Sequence, residues 1–553
     1  MAKSAAKQIG KSRQGNTPAF EVKGNKRRMK FTRSKMTGSS ESRVRNSMRN
    51  AATSVGGQLL NNLLRFICRT VFIHTLGKDF LGISSLYTNI LTLLSISELG
   101  FSAAVTFSLY KPLAENDQET IRSLMAFYKK AYRVIGLIIL GVGLCLMPFL
   151  PNLMTGVTDK VNIYLYYFLY LMQTVASYLF YAYKAVLLTA DQKKYISDLI
   201  SYFCQIIMNV LQVIVLIVLR SFFIYTVLLI VENIVANLMV AACVDRRYPY
   251  IRGKAKPLSE GQRKDIFTRV YAMALYKVSS AIGTATDNLI ISSMINVAAV
   301  GIYNNYYMII QVFQNLVTGI FQSASASVGN QFAGKSADRN AFIFRCLSLA
   351  CNFMVTMLSV CFLTVFQPFI RAWIGTDYLL ADSVLVIIVY NFATNYFQCV
   401  VQIYREATGV FVYGKYRAVA TAVSNLIISI ILVKLMGIGG VFLGSIISRM
   451  ATTGWYDVVL VHRKGLNRSP VRFFVEEAMC CGLIPAIGFA VIRITAPIAQ
   501  SDWILVIVRG ILSIVLTGLV FWLIYGRSSE FAYLKKNVIR RLFHRKSAGR
   551  EKK

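Results

Sequence analysis

Acidic residues and histidine are scarce in this chain. Its 553 residues include 25 Asp and Glu against 61 Lys and Arg, and only three His. General acid–base catalysis needs carboxylates or imidazoles held in a structured pocket, so a membrane-embedded glycosyltransferase or polymerase would have little to draw on, and no catalytic residue is assigned. Charged residues make up 16% of the chain, against about 25% in soluble proteins. That shortage excludes a string of soluble domains. The ten cysteines lie in or beside apolar stretches and none has metal-ligand spacing. They read as small apolar fillers, so no metal and no other cofactor is implied. The first 46 residues contain no apolar signal-peptide core. Alternating segments of about ten residues, the mark of a membrane barrel, are also missing.

Apolar residues dominate instead, at 55% of the chain. They fall into runs near the ~20 residues that cross a bilayer as a helix. Backbone groups cannot go unsatisfied in lipid, so the sequence predicts an all-α integral membrane protein. Fourteen spans are expected, near 51–76, 81–110, 131–150, 162–186, 197–219, 222–244, 266–294, 299–325, 342–370, 380–403, 415–436, 439–461, 474–495 and 503–525. With the N-terminus inside, basic segments such as DRRYPYIRGKAKPLSEGQRK (245–264), HRKGLNRSPVR (462–472) and the C-terminal tail all fall on the inner side. The outer loops are short and hold Lys78, Lys160, Arg220, Arg371 and Arg493. This asymmetry predicts a multi-pass protein of the cytoplasmic membrane with both termini cytoplasmic. The net charge of +36 reads as attraction to anionic lipid, not as nucleic acid binding, because the basic residues sit at membrane edges. In RSSEFAYLKKNVIRRLFHRK (527–546), Phe531, Leu534, Val538 and Leu542 share one helical face. The pattern predicts an amphipathic helix on the inner leaflet.

The chain also resembles itself. At an offset of 219, LGISSLYTNILTLLSISELG (81–100) lies over VGIYNNYYMIIQVFQNLVTG (300–319), matching Gly82 with Gly301, Tyr87 with Tyr306 and Gly100 with Gly319. An offset of 217 places VDRR (244–247) over VHRK (461–464). Both ends of a six-helix unit therefore repeat. The expected organisation is a basic tail over 1–46, six-helix lobes over 47–250 and 251–465, an additional helix pair over 466–526 and a basic tail over 527–553. An even offset keeps both lobes in one orientation, related by a pseudo-twofold axis along the membrane normal. Two such lobes rocking about a central site describe alternating access.

Charges inside the membrane are expensive, and functional candidates by default. The stretch LLRFICRTVF (63–72) holds two. Gln58, Asn62, Arg65 and Arg69 are spaced 4, 3 and 4 apart, on one helical face. That face must meet a cavity or a neighbour, and these residues are the candidates for binding substrate, with Lys277. Glu98 lies at the depth of Arg65, and Asp287 aligns through the repeat beside Arg69. Both are candidate counter-ions or coupling groups. Glu232 and Arg449 occupy equivalent repeat positions with opposite sign, and read as an inter-lobe structural or gating pair.

The stretches RNAATSVGGQLLNNLLRFICRTVFIHTLGKDFLGI, ELGFSAAV, TDNLIIS, FIRAWIGTDYLL and YREATGVFVYGKYR resemble the polysaccharide-exporter branch of the multidrug/oligosaccharidyl-lipid/polysaccharide superfamily, which includes Wzx-type flippases. The resemblance covers about residues 43–525. It implies a V-shaped central cavity lined mainly by helices 1, 2, 7 and 8. It also implies a polyprenyl-pyrophosphate-linked oligosaccharide moved from inner to outer leaflet for cell-surface polysaccharide biosynthesis, with coupling to an ion gradient or the membrane potential. Its partners would be that lipid-linked glycan, membrane lipids, and a polysaccharide polymerase and glycosyltransferases of the same biosynthesis; nucleic acid is not among them. Arginine suits this cargo, since its planar fork matches phosphate oxygens. The alternative is a multidrug or other small-molecule exporter of the same superfamily. Such a cavity would favour acidic groups for cationic drugs.

Overall fold

One glycine sets the path of the first two spans. Helix α1 (Met36–Leu94) turns sharply at Gly77, whose φ of 83° and ψ of −174° are open in practice only to glycine. The arm before Gly77 carries Arg65 and Arg69, and the arm after it returns along the same cavity. The computed structural model describes residues 36–95, 101–154, 162–253, 286–332, 337–407, 417–498 and 501–536, with scattered positions between 255 and 270. One compact unit is Met1–Met48, helical over 36–48, and the other is Arg49–Lys553.

In the second unit, α1 is followed by α2 (Phe101–Glu115), α3 (Gln118–Leu146), α4 (Ile163–Leu179), α5 (Ala185–Ala190), α6 (Lys194–Val218) and α7 (Phe222–Arg247). A helix over 286–294, α8, opens the second half. Then come α9 (Val297–Phe332), α10 (Ala337–Ile374), α11 (Asp382–Tyr396), α12 (Cys399–Ala407), α13 (Arg417–Met436) and α14 (Ile438–Arg449). The chain stays helical to Leu466 through two wider turns, Met450–Gly454 and Val461–Leu466. It ends with α15 (Val471–Thr495), α16 (Asp502–Tyr525) and α17 (Ser529–Leu534). No strand occurs among the described residues. Eight helices there are long and apolar enough to cross a membrane, or nine if α4 and α5, bent by 44° at their junction, form one span.

The burial pattern is that of a membrane protein. Helix α6 buries Ser197, Cys204, Met208, Gln212 and Leu216 on one side. It exposes Leu199, Phe203, Ile207, Val210 and Ile214 on the other. Polar groups face inward and apolar ones outward, because lipid is the solvent. Helix α3 starts where Asp117 accepts from the Thr120 N–H at 3.0 Å. This hydrogen bond and one from the Thr120 hydroxyl hold the Asp117 carboxyl below its ordinary range.

Buried ion clusters tie helix ends together inside each half. In the first, Asp245 meets Lys184 at 2.6 Å and Arg252 at 3.2 Å. In the second, Asp457, 4% exposed, meets Arg405 at 2.8 Å and also Arg417. At the C-terminus, Glu530 of α17 meets Arg345 at 3.3 Å and Arg472 at 3.6 Å. Phe531 and Leu534 pack against the hydrophobic core. This part of the expected surface helix is therefore docked on protein, since its apolar face finds α10 before it finds lipid. Val538 and Leu542 lie outside the described residues.

The two halves meet near the Gly77 turn. Phe66 stacks on Trp373 with centroids 4.3 Å apart, and the Trp373 indole donates to Thr70 Oγ1 at 2.7 Å. Beside this seam, Gly82 and Gly301, matched by the internal repeat, touch each other. A Cβ at Gly301 would come 2.9 Å from the Gly82 nitrogen, and one at Gly82 would come 2.1 Å from the Val297 carbonyl oxygen. Gly82→Ala is expected to lower stability by about 1–3 kcal/mol through overpacking. Gly319→Ala, with open space at its Cβ, leaves stability unchanged or slightly raised. Thermal unfolding of the detergent-purified variants, followed by loss of the monodisperse peak, checks the pair.

Candidate substrate cavity

Helix α1 brings Arg65, Cys68, Arg69 and Phe72 to one wall of a cavity of about 570 Å³. Its second arm adds Ser84, Thr88, Thr92 and Ser95. Helix α4 contributes Tyr170, Gln173, Thr174 and Ser177, and α6 contributes Gln205, Asn209 and Gln212. Tyr225, Glu232 and Asn233 come from α7, and Met308 is the lining residue from the second half. The walls are thus mostly hydroxyls and neutral amides, with two arginines and one carboxylate.

Arg69 reaches out of its own half. Its Nε and Nη2 donate to Oδ1 of Asn305 on α9 at 3.2 and 3.1 Å, and Asn305 is fully buried. Asp287 was the expected partner, yet it takes hydrogen bonds from Ser445 Oγ at 3.3 and 3.4 Å and lies in the field of Arg449. Arg449 donates to the Asn391 carbonyl at 3.2 Å, to Asn391 Oδ1 at 2.9 Å and to Thr394 Oγ1 at 3.0 Å. Glu232 shares the first cavity with Arg65, whose charge acts on it. Glu232 and Arg449 are therefore not brought together. Each answers an opposite charge within its own half, which spares either from being stranded when the halves separate, a cost of several kcal/mol. The repeat matches Glu232 with Arg449, opposite in sign, and aligns Asp287 beside Arg69.

The remaining sequence candidates divide. Gln58 is exposed and Asn62 half-buried, and neither is among the lining residues. Asn61 takes the inward position, accepting from Asn209 Nδ2 at 3.5 Å. Glu98 and Lys277 lie outside the described residues.

The family model described as polysaccharide biosynthesis protein matches residues 47–326, just over half of the chain. The chain belongs to that family. No curated protein matches it in sequence. Among solved structures it is similar to lipid II flippase MurJ in an inward closed conformation, with TM-score 0.59 and 16% identity over 86% of this chain and 100% of that one. It is also similar to an inward-facing multidrug resistance MATE family transporter of the MOP superfamily, with TM-score 0.57 and 13% identity over 77% and 96% of the two chains. At these identities the likeness is one of fold.

Sequence reasoning passed over the amides of this family member's cavity. The signal was in QIIMNVLQ (205–212), where three amides recur at 4 and 3 residues within an apolar helix. An amide is cheaper to bury than a charge, so it stands out less. The Arg69–Asn305 bond predicts a coupling of about 1.5–3 kcal/mol, the range for hydrogen bonds to charged groups. A double-mutant cycle of Arg69→Met and Asn305→Leu on thermal stability measures it. A coupling near zero would mean that the seam holds without it.

Proposed function

We propose that the protein is an alternating-access flippase. It carries a polyprenyl-pyrophosphate-linked oligosaccharide from the inner to the outer leaflet, for cell-surface polysaccharide biosynthesis. The observation that carries this reading is a hydroxyl- and amide-lined cavity bearing Arg65 and Arg69 against the single carboxylate of Glu232, in a transporter fold of a polysaccharide biosynthesis family. The diphosphate is an anion that must pass hydrocarbon, and a guanidinium meets its oxygens with two parallel hydrogen bonds.

In this proposal fourteen spans form two six-helix lobes, 47–250 and 251–465, followed by a helix pair over 466–526. Both tails are cytoplasmic. The contact of the repeat-matched Gly82 and Gly301 supports a pseudo-twofold axis near them, since equivalent residues touch only beside their axis. The seam at the Gly77 turn is then the closed outer end, and the cavity loads from inside. Arg65 and Arg69 take the diphosphate, with Gln58, Asn62 and Lys277 as further polar contacts along the entry path. Substrate oxygens replace Asn305 on Arg69, and the halves part at that end. Glu232 and Glu98 balance the arginines when the cavity is empty. Asp287, held beside Ser445 and Arg449, is the coupling group of the second half. Partner enzymes are those that build and polymerise the glycan.

A drug exporter remains the competing reading. The cavity has one carboxylate against two arginines, the wrong balance for cationic drugs. The test is Arg65→Ala with Arg69→Ala in a cell depleted of the native protein. The double variant is expected in the membrane at normal level, with surface polymer falling at least about tenfold and the lipid-linked glycan accumulating inside. Normal polymer from that variant would sink the assignment, and unchanged polymer on depletion would sink the flippase.

A further inference from the structure

We infer that the cavity is divided along its length. The arginine end takes the diphosphate, and the cavity running away from it reads the hydroxyl groups of at least two sugars through the α6 amides and through hydroxyls whose own protons are already donated. This rests on the flippase reading and specifies which residues select the glycan.

The lengthwise order follows from contacts at one end. Cys68, next to Arg69, donates to Gln212 Oε1 at 3.7 Å. Ser84 and Tyr170 share a hydrogen bond of 2.7 Å there, within the field of Arg69. From this level the three elements step away together: α1 from Ser84 to Ser95, α4 from Tyr170 to Ser177, and α6 from Gln212 back to Gln205.

On the departing walls the hydroxyl protons are already spent. Thr88, Thr92 and Ser95 donate to the carbonyls of Ser84, Thr88 and Leu91 at 2.8, 2.7 and 2.8 Å. Thr174 and Ser177 donate to Tyr170 and Thr174 at 3.2 and 2.6 Å. Such back-bonding is ordinary in helices. Its consequence here is specific, because a hydroxyl has one proton and two lone pairs. Apart from the Gln173 amide, these walls offer lone pairs alone. A phosphate or carboxylate also has only lone pairs and gains nothing from them, whereas each sugar hydroxyl brings a proton.

Helix α6 supplies the complement. Gln212, 2% exposed, has no partner for its Nε2, and Gln205 has none for its buried Oε1. A buried amide atom left unpaired is costly, so a ligand that satisfies it is favoured. The two stand seven residues apart, about 10 Å along the helix axis, with Asn209 between them. That is further than one pyranose ring reaches. A chain of at least two sugars, neutral or amino-substituted, satisfies both.

The experiment measures binding to the purified full chain of two lipids. One is polyprenyl diphosphate. The other is the lipid-linked glycan extracted from cells depleted of this protein. The wild type is expected to bind the glycan form at least about tenfold more tightly than the bare diphosphate. Gln205→Leu with Gln212→Leu removes that preference and leaves affinity for polyprenyl diphosphate unchanged, while Arg69→Ala weakens both. Thr92→Val with Ser177→Ala lowers the preference in the same way, and serves if the amide pair does not yield folded protein. An intact preference in these variants, or no preference in the wild type, overturns the inference and leaves the flippase standing. Failure of the wild type to bind either lipid overturns the flippase reading itself.

Discussion

A guanidinium in hydrocarbon must be hydrogen-bonded in every state the protein visits. Arg69 meets that demand through Asn305, and the choice of acceptor matters. A carboxylate would cancel the charge and leave nothing for an anion to seek. An amide oxygen satisfies two N–H groups and leaves the positive charge uncompensated. A phosphate offers the same geometry plus the missing charge, so it can displace the amide. Because Asn305 belongs to the other half, that exchange and the opening of the seam are one event. In the proposed flippase the cargo itself would release the latch.

The same logic orders the remaining charges by strength and place. Among the described residues, Arg65 acts on Glu232 and Arg449 on Asp287, each within its own half. The clusters around Asp245 and Asp457 are likewise internal to their halves. Across the seam lie a neutral amide, a pair of glycines, an aromatic stack and one indole hydrogen bond. Breaking a buried ion pair strands a charge and costs about 3–5 kcal/mol. Breaking neutral contacts in a cavity that admits water costs far less. In the proposed flippase such an arrangement would let two stiff lobes part at a soft joint.

Much of this was legible beforehand, and the omissions have a physical pattern. Apolar runs marked the helices, and the break between the first two spans falls at Gly77, inside LGKD. The repeat paired Gly82 with Gly301 before the structure brought them into contact. That Arg65, Arg69 and Glu232 share one cavity was not readable, although their place on apolar helices was. Partners were not readable either. Helical spacing allows Arg65 to belong both to the stripe of Gln58 and Asn62 and to the stripe of Asn61 and Cys68. Only the packing of α6 decides between them, and it selects the second. Opposite signs at Glu232 and Arg449 suggested attraction, but repeat equivalence places two residues in matching environments, not side by side. Each then needs its own counter-charge, which is what α1 and α14 supply.

That correction bears on how the two halves differ. Their sequences repeat, yet charges of opposite sign stand at Glu232 and Arg449. The first half presents Arg65, and Arg69 held by a neutral amide, to a cavity walled largely by hydroxyls and amides. In the second, Arg449 is taken up by Asn391 and Thr394, and the Asp287 carboxylate sits beside Ser445. In the proposed flippase the first half would then hold the anionic cargo, and the Asp287 carboxylate of the second would respond to a driving gradient. Two arginine-bearing halves would, in that proposal, bind anions equally and leave the motion no second input.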